Sequence, residues 1–181
     1  NILKKLKNSH SNSCIYAWKR NSEDITFGAS PEKLFSLSNN NLILEAIAGT
    51  SKSQSNHMFL LKNSKNLREH KYVIDYLISC LEVLKINDFK QSKLKVTSFG
   101  DISHLQTLIT ARIKELCPFE LLEILHPSPA VSGIPKTKAM NWIQTIETFS
   151  RGNYASPIGW VDTQGRADFR VAIRGIRYIN K

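Results

Sequence analysis

Short apolar or alternating runs set apart by Asn, Ser and Pro open the chain: CIYAW at 14–18, ITFGA at 25–29, LFSL at 34–37 and LILEAI at 42–47. Runs of this length and alternation predict successive strands, so the first third is expected to be antiparallel sheet. Between Met58 and Leu84 the period changes. Leu60, Leu61, Val73, Ile74, Leu77, Ile78, Leu81 and Leu84 recur at three- and four-residue spacings, predicting a long amphipathic helix broken near Asn66. Leu94, Val96 and Ser98 alternate as an edge strand does, residues 105–113 read as a further strand, and 119–125 as a short helix. Pro135 stands where a helix begins, with Ala139, Trp142, Ile143 and Ile146 as its apolar face. Strands near 157–161 and 168–178 close the chain. This order predicts an α+β fold of layered antiparallel sheets with helices, in one domain.

Composition narrows the class. With 181 residues, 41% of them hydrophobic, there is material for one domain with its own core. No apolar run is long enough for a membrane helix, and the chain starts at Asn1 rather than Met, so its beginning reads as cut. Cys14, Cys80 and Cys117 are odd in number and show no C-x-x-C spacing, which argues against a disulfide framework or a zinc site and for a reducing compartment. Cys80 and Cys117 are expected in or near the core. The formal charge of +10 raises nucleic acid as a partner, but the Lys residues are scattered and not interleaved with aromatics. A solvated basic surface that also attracts a small dianion is the better expectation.

Candidate chemistry concentrates between His126 and Arg174, where Pro127, Pro129, Gly133, Pro135, Gly152, Pro157 and Gly159 dictate most of the turns. His126, Arg151, Tyr154, Trp160 and Arg174 stand among them, a set suited to a planar acid with two charges. Elsewhere, Glu32 follows Ser30-Pro31 at a strand-to-turn junction, where a cap or surface role competes with acid catalysis. Glu45 interrupts an apolar strand and, if buried, needs a partner. Gly49-Thr50 would let a carboxylate approach backbone N–H groups. Glu69 lies at the edge of the buried helical face, either as a solvated charge or as a hard ligand for Mg²⁺. His104 reads as a structural histidine on its own, and Arg174 is expected at the end of an alternating strand as a fork of donors.

The motifs GASPEKLF, EAIAGT, REHKYVIDYL, HPSPAVSGIPKTKAM, RGNYASPIGWVD and DFRVAIR, in this order, resemble the chorismate-binding enzymes, most closely the isochorismate synthases. The resemblance covers about Phe27 to Arg177 and implies a fold like that of anthranilate synthase component I, with layered sheets around a cleft. It makes Glu32 the general acid that protonates the departing hydroxyl of chorismate, and Glu69 a ligand of Mg²⁺. Gly49 and Thr50 would line the pocket and His104 would lie against the ring. Tyr154 with Arg174 would clamp the enolpyruvyl carboxylate. Ala130 stands where the ammonia-using relatives typically carry Thr, which favours water as nucleophile. SGIPKTKAM leans the other way, toward anthranilate or aminodeoxychorismate synthesis.

The resemblance also implies what residues 1–181 lack. The family's general-base Lys belongs upstream of GASPE, and a second metal-binding Glu and a substrate-binding Lys belong beyond Arg174. The chain therefore reads as a partial chorismate-binding domain, of little or no turnover alone, with a complementary chain as a possible partner. A cytoplasmic or plastid-stromal location is expected. Quinone, siderophore and salicylate routes all begin with the product, so the pathway stays open.

Overall fold

The computed structural model describes every residue except Asn1, Ser11, residues 53–56, Glu115 and Lys181. The predicted α+β class is observed. In chain order the elements are α1 (Ile2–Ser9), β1 (Cys14–Lys19), β2 (Asp24–Ser30), β3 (Lys33–Ser38), β4 (Asn41–Ser51), α2 (His57–Lys62) and α3 (Ser64–Val83). There follow β5 (Phe89–Gln91), β6 (Lys95–Phe99), β7 (Ile102–Arg112), α4 (Pro118–Leu125), α5 (Pro129–Ser132) and α6 (Lys136–Ile146), then β8 (Pro157–Val161), β9 (Ala167–Val171) and β10 (Gly175–Ile179).

Two antiparallel sheets carry the fold. A three-stranded sheet has the order β1-β2-β10, and a seven-stranded sheet the order β5-β7-β4-β3-β9-β8, with β6 also paired to β7. Asn39 and Asn40, both at positive φ, form the two-residue turn that joins β3 to β4 and sets Ser38 opposite Asn41. From that register Leu42, Leu44 and Ala46 on β4 line up with Ala111, Ile109 and Thr107 on β7, all buried on one face. Phe35 and Phe169 extend this face across β3 and β9, with ring centroids 5.3 Å apart.

α3 lies over the same face. Its buried positions Asn66, His70, Val73, Leu77, Cys80 and Leu81 form the stripe that the three- and four-residue spacing predicted. The helix break falls earlier than Asn66: Asn63 is the N-cap, and its side chain accepts from the Asn66 N–H at 3.0 Å.

Three other expectations are corrected. The strand expected over 168–178 is two strands in different sheets, β9 and β10, separated by a kink at Arg174 with φ +52. Pro135 is the N-cap of α6 rather than its first helical residue; on the apolar face of α6, Ala139 and Ile143 are half-buried, whereas Trp142 is 68% and Ile146 63% exposed. Cys117 is exposed, whereas Cys80 is buried as expected.

Candidate active site

A slip in β4 shapes the site. The β4–β7 register shifts between Ala48 and Thr50, and Gly49 sits there at φ +74. A Cβ at this position would stand 3.0 Å from Asn66 Cβ and 3.3 Å from Leu105 Cδ1, so the bulge and the close passage of α3 both need glycine. Beyond the bulge Thr50 faces His104, and Thr50 Oγ1 meets His104 Nδ1 at 3.2 Å. A cavity of about 500 Å³ opens at this end of the sheet, and Glu32, Gly49, Thr50, Glu69, His104, Ala130 and Arg174 all line it.

Glu32 is fixed through its backbone. Its carbonyl accepts from the Val171 N–H at 3.1 Å, and its amide donates to Ser30 Oγ at 3.3 Å. Ser30 Oγ in turn donates to the Val171 carbonyl at 2.6 Å. Burial pushes the Glu32 carboxyl up to about 7, with the Ser128 hydroxyl drawing it down, the charge of Glu45 pushing it further up and the Arg174 guanidinium drawing it down. Near neutral pH a large share of Glu32 is therefore a carboxylic acid.

Burial lowers the pKa of His104, and the positive charge of Arg174 lowers it further against a hydrogen bond to the Gly49 backbone that raises it, which favours the neutral ring. Arg174 Nη2 stands 3.5 Å from His104 Nε2. Arginine can only donate, which makes Nε2 the acceptor and assigns the ring proton to Nδ1, toward Thr50. The positive φ of Arg174 takes its side chain out of the pleat of β9 and toward the end of β7. The remaining guanidinium donors suit a carboxylate.

Glu69 takes its direction from its neighbour. His70 Nε2 is 2.8 Å from Thr107 Oγ1 beneath α3, which fixes the rotation of the helix and leaves Glu69 at the cavity edge with Tyr72 and Val73. On its outer side Glu69 meets Lys65 at 3.7 Å. Among the described residues no group of three or more His, Cys, Asp or Glu gathers around a possible metal position. Magnesium commonly takes only one or two protein carboxylates, with water and substrate oxygens completing its shell, and Glu69 fits as one such hard donor.

The loop that carries Ala130 is anchored from several sides. Tyr76 on α3 donates its hydroxyl to the Ile124 carbonyl at 2.9 Å and lies 3.3 Å from that of Pro127. Lys136 donates to the His126 carbonyl at 2.9 Å, and Arg151 to that of Val131 at 3.0 Å.

The family model described as "Chorismate binding enzyme" matches residues 1–178. The chain belongs to that family. It is 37% identical to isochorismate synthase MenF of Bacillus subtilis (strain 168) over 187 aligned positions, 96% of this chain and 38% of that protein. It is 33% identical to the salicylate biosynthesis isochorismate synthase of Pseudomonas aeruginosa, over 96% of this chain and 38% of that one. Anthranilate synthase component I from Streptococcus pneumoniae superposes with a TM-score of 0.85 at 27% identity, covering 98% of this chain and 41% of that structure. The chorismate-binding fold is thus present, over about two fifths of the length of these relatives.

Seven of the eight site residues expected from sequence meet at one cavity of this chorismate-binding chain; the eighth does not. Tyr154 is 56% exposed and lines a separate hollow with Arg151 and Arg177, its ring 5.7 Å from the Arg151 guanidinium. The turn that follows it runs through Ala155 at φ +63, and Tyr154 is not among the residues lining Arg174's cavity. Arg151 is committed to Glu147, at 2.8 Å through Nε, and Trp160 stands exposed on β8. Of the grouped donors and aromatics, Arg174 alone lines the cavity among the described residues. Glu45 has its expected partner, the Gln106 amide, on the sheet face opposite α3. Sequence reasoning missed Tyr72, whose signal was its i+3 spacing from Glu69, and Ser128, which lies inside the quoted HPSPA motif.

Proposed function

We propose that this chain forms the acid-bearing part of an isochorismate synthase, which converts chorismate to isochorismate by adding water at one ring carbon and expelling the hydroxyl two carbons away. The observation that carries the reading is a carboxyl held near neutrality, Glu32, on a cavity that also presents the Arg174 guanidinium. Glu32 gives its proton to the departing hydroxyl. Arg174 pairs a substrate carboxylate through the donors it does not direct at His104. The neutral His104 ring lies against the substrate ring without adding charge, and Gly49 and Thr50 bring backbone and a hydroxyl to the wall. Ala130 keeps its part of the wall small and without a hydroxyl. Magnesium, when bound, would be held on this side by Glu69 and would neutralise the ring carboxylate. Tyr154 has no part in this arrangement.

No lysine is among the described residues lining the cavity, so the base that activates water is not supplied here. The chain alone is therefore expected to bind chorismate with little turnover, and the complete activity to need a complementary segment or chain. Menaquinone, salicylate or siderophore synthesis, in the cytoplasm or the plastid stroma, is the setting this reading implies. Anthranilate-type chemistry is the second reading, favoured by SGIPKTKAM and by the anthranilate synthase likeness.

Incubating the purified chain with chorismate and Mg²⁺ in ammonium buffer, with binding measured by calorimetry and products resolved by chromatography, tests these readings. Binding that Arg174→Ala abolishes, with isochorismate as any trace product, is expected. Anthranilate as the product would overturn the choice of nucleophile, and absence of binding would overturn the cavity assignment.

A further inference from the structure

Ser128 stands at the N-cap of α5 with an extended backbone, φ −74 and ψ 158. Serine in that position ordinarily turns its hydroxyl onto an N–H of the first helical turn. Ser128 makes no such bond. Its hydroxyl reaches across 96 positions of sequence to Glu32 Oε1, at 3.4 Å. The residue is 5% exposed, and its carbonyl is tied down by the Val131 N–H at 3.1 Å, the Ser132 N–H at 3.0 Å and the Ser132 hydroxyl at 2.8 Å. Tyr76 and Lys136 fix the carbonyls of Pro127 and His126 just before it. A buried hydroxyl on an immobilised backbone, turned off its own helix and onto a cavity-lining carboxyl, is placed to aim that carboxyl.

We infer that Ser128 is a positioning residue that holds the Glu32 carboxyl toward the cavity in both of its protonation states. Its importance for turnover rests on Glu32 being the proton donor of the proposed reaction; the contact itself does not. A hydroxyl donates to a carboxylate and accepts from a carboxylic acid, so one side chain serves Glu32 before and after proton transfer. Donation to the ion is the stronger of the two bonds, and Ser128 therefore draws the titration of Glu32 downward. The other groups facing Glu32 are Glu45 from β4, which raises it, and Arg174 from the kink after β9, which lowers it. Alanine at 128 would leave burial and Glu45 opposed by Arg174 alone.

The test is a pH titration of the Glu32 side-chain carboxyl by ¹³C NMR in the wild-type chain, Ser128→Ala and Ser128→Thr, with thermal melting on the same samples. Ser128→Ala is expected to raise the Glu32 midpoint by about one pH unit, the low end for a hydrogen bond to a charged group. Ser128→Thr keeps the hydroxyl and is expected to restore the wild-type midpoint. Should the alanine variant not fold, Ser128→Cys carries the comparison, since a thiol is a weak donor and the midpoint again rises. An unchanged or lower midpoint without the hydroxyl would overturn the assignment. So would a loss of stability in Ser128→Ala that Ser128→Asn repairs, because that is the behaviour of a helix cap. Chorismate binding measured alongside separates the two claims. A chain that shows the midpoint shift but binds no chorismate upholds Ser128's role and removes the proposed substrate.

Discussion

Gly49→Ala tests whether the bulge that shapes the cavity is held open by the absence of a side chain. At φ +74 an alanine pays the left-handed penalty of about 1–2 kcal/mol. The new methyl also stands 3.0 Å from Asn66 Cβ and 3.3 Å from both the Asn66 carbonyl oxygen and Leu105 Cδ1. Asn66 is buried on α3, which is itself fixed by the His70–Thr107 contact, so the helix yields poorly and overpacking adds about 1–3 kcal/mol. A loss of about 3 kcal/mol follows, or a fall in Tm of about 6–12 °C for a chain of this size. Gly100→Ala is the control. It has φ +63 but nothing among the described residues within 4 Å of the new Cβ, so only the backbone penalty remains, about 1–2 kcal/mol. Urea unfolding of both variants reads the difference. Equal losses would refute the steric part of the reasoning and with it the tight passage of α3 over Gly49.

Glu32→Gln should stabilise the chain in a pH-dependent way. Burial holds the folded carboxyl at about 7 against an ordinary 4.5, so its contribution is complete below the lower value and is lost as pH rises through the higher one. The variant should match wild type near pH 4 and exceed it near pH 8 by about 1–2 kcal/mol, after a discount for partial exposure; urea midpoints at the two pH values check this. His70 has the opposite sign. Burial lowers it from an ordinary 6.5 to about 4, so its stabilisation is present above the first value and lost as pH falls through the second, and acid unfolding followed by circular dichroism should be shallower in His70→Gln. Thr107→Val removes the partner of His70 Nε2 and should cost about 1–3 kcal/mol at neutral pH by urea unfolding. Tyr76→Phe should cost about 1 kcal/mol and speed hydrogen exchange at the amides of Val131 and Ser132, because it frees the carbonyls that anchor the Ala130 loop.

The sheets and α3 were legible because burial on one face leaves a period in the sequence: alternation in β4 and β7, and three- and four-residue spacing from His70 to Leu81. At α6 the same signal located the helix correctly but carried no information on its cover. An apolar stripe reports an amphipathic helix without reporting what covers it, and the residues Trp142 and Ile146 face outward. Arg174 was misplaced because arginine carries no mark of positive φ, so the alternation of β9 seemed to run on through the kink. Gly49 did carry such a mark, though β4 runs on through it as a bulge to Ser51 rather than ending there. Glu32 illustrates a deeper limit. A Glu after Ser-Pro cannot be told from a cap residue by spacing, and its raised carboxyl arises first from burial and then from the charge of Glu45, against Ser128 and Arg174, an environment brought to it from distant strands and loops. Only the resemblance of the surrounding motif singled it out in advance.

The most direct measurement is a chorismate titration of the ¹⁵N-labelled chain, with and without Mg²⁺, followed residue by residue by NMR. Saturable shifts centred on Glu32, Gly49, Thr50, His104, Ala130 and Arg174, and extending to Glu69 when Mg²⁺ is added, are the predicted result. Shifts centred instead on the hollow around Tyr154 and Arg151, or no saturable change at millimolar chorismate, would contradict the assignment of this cavity as the substrate site.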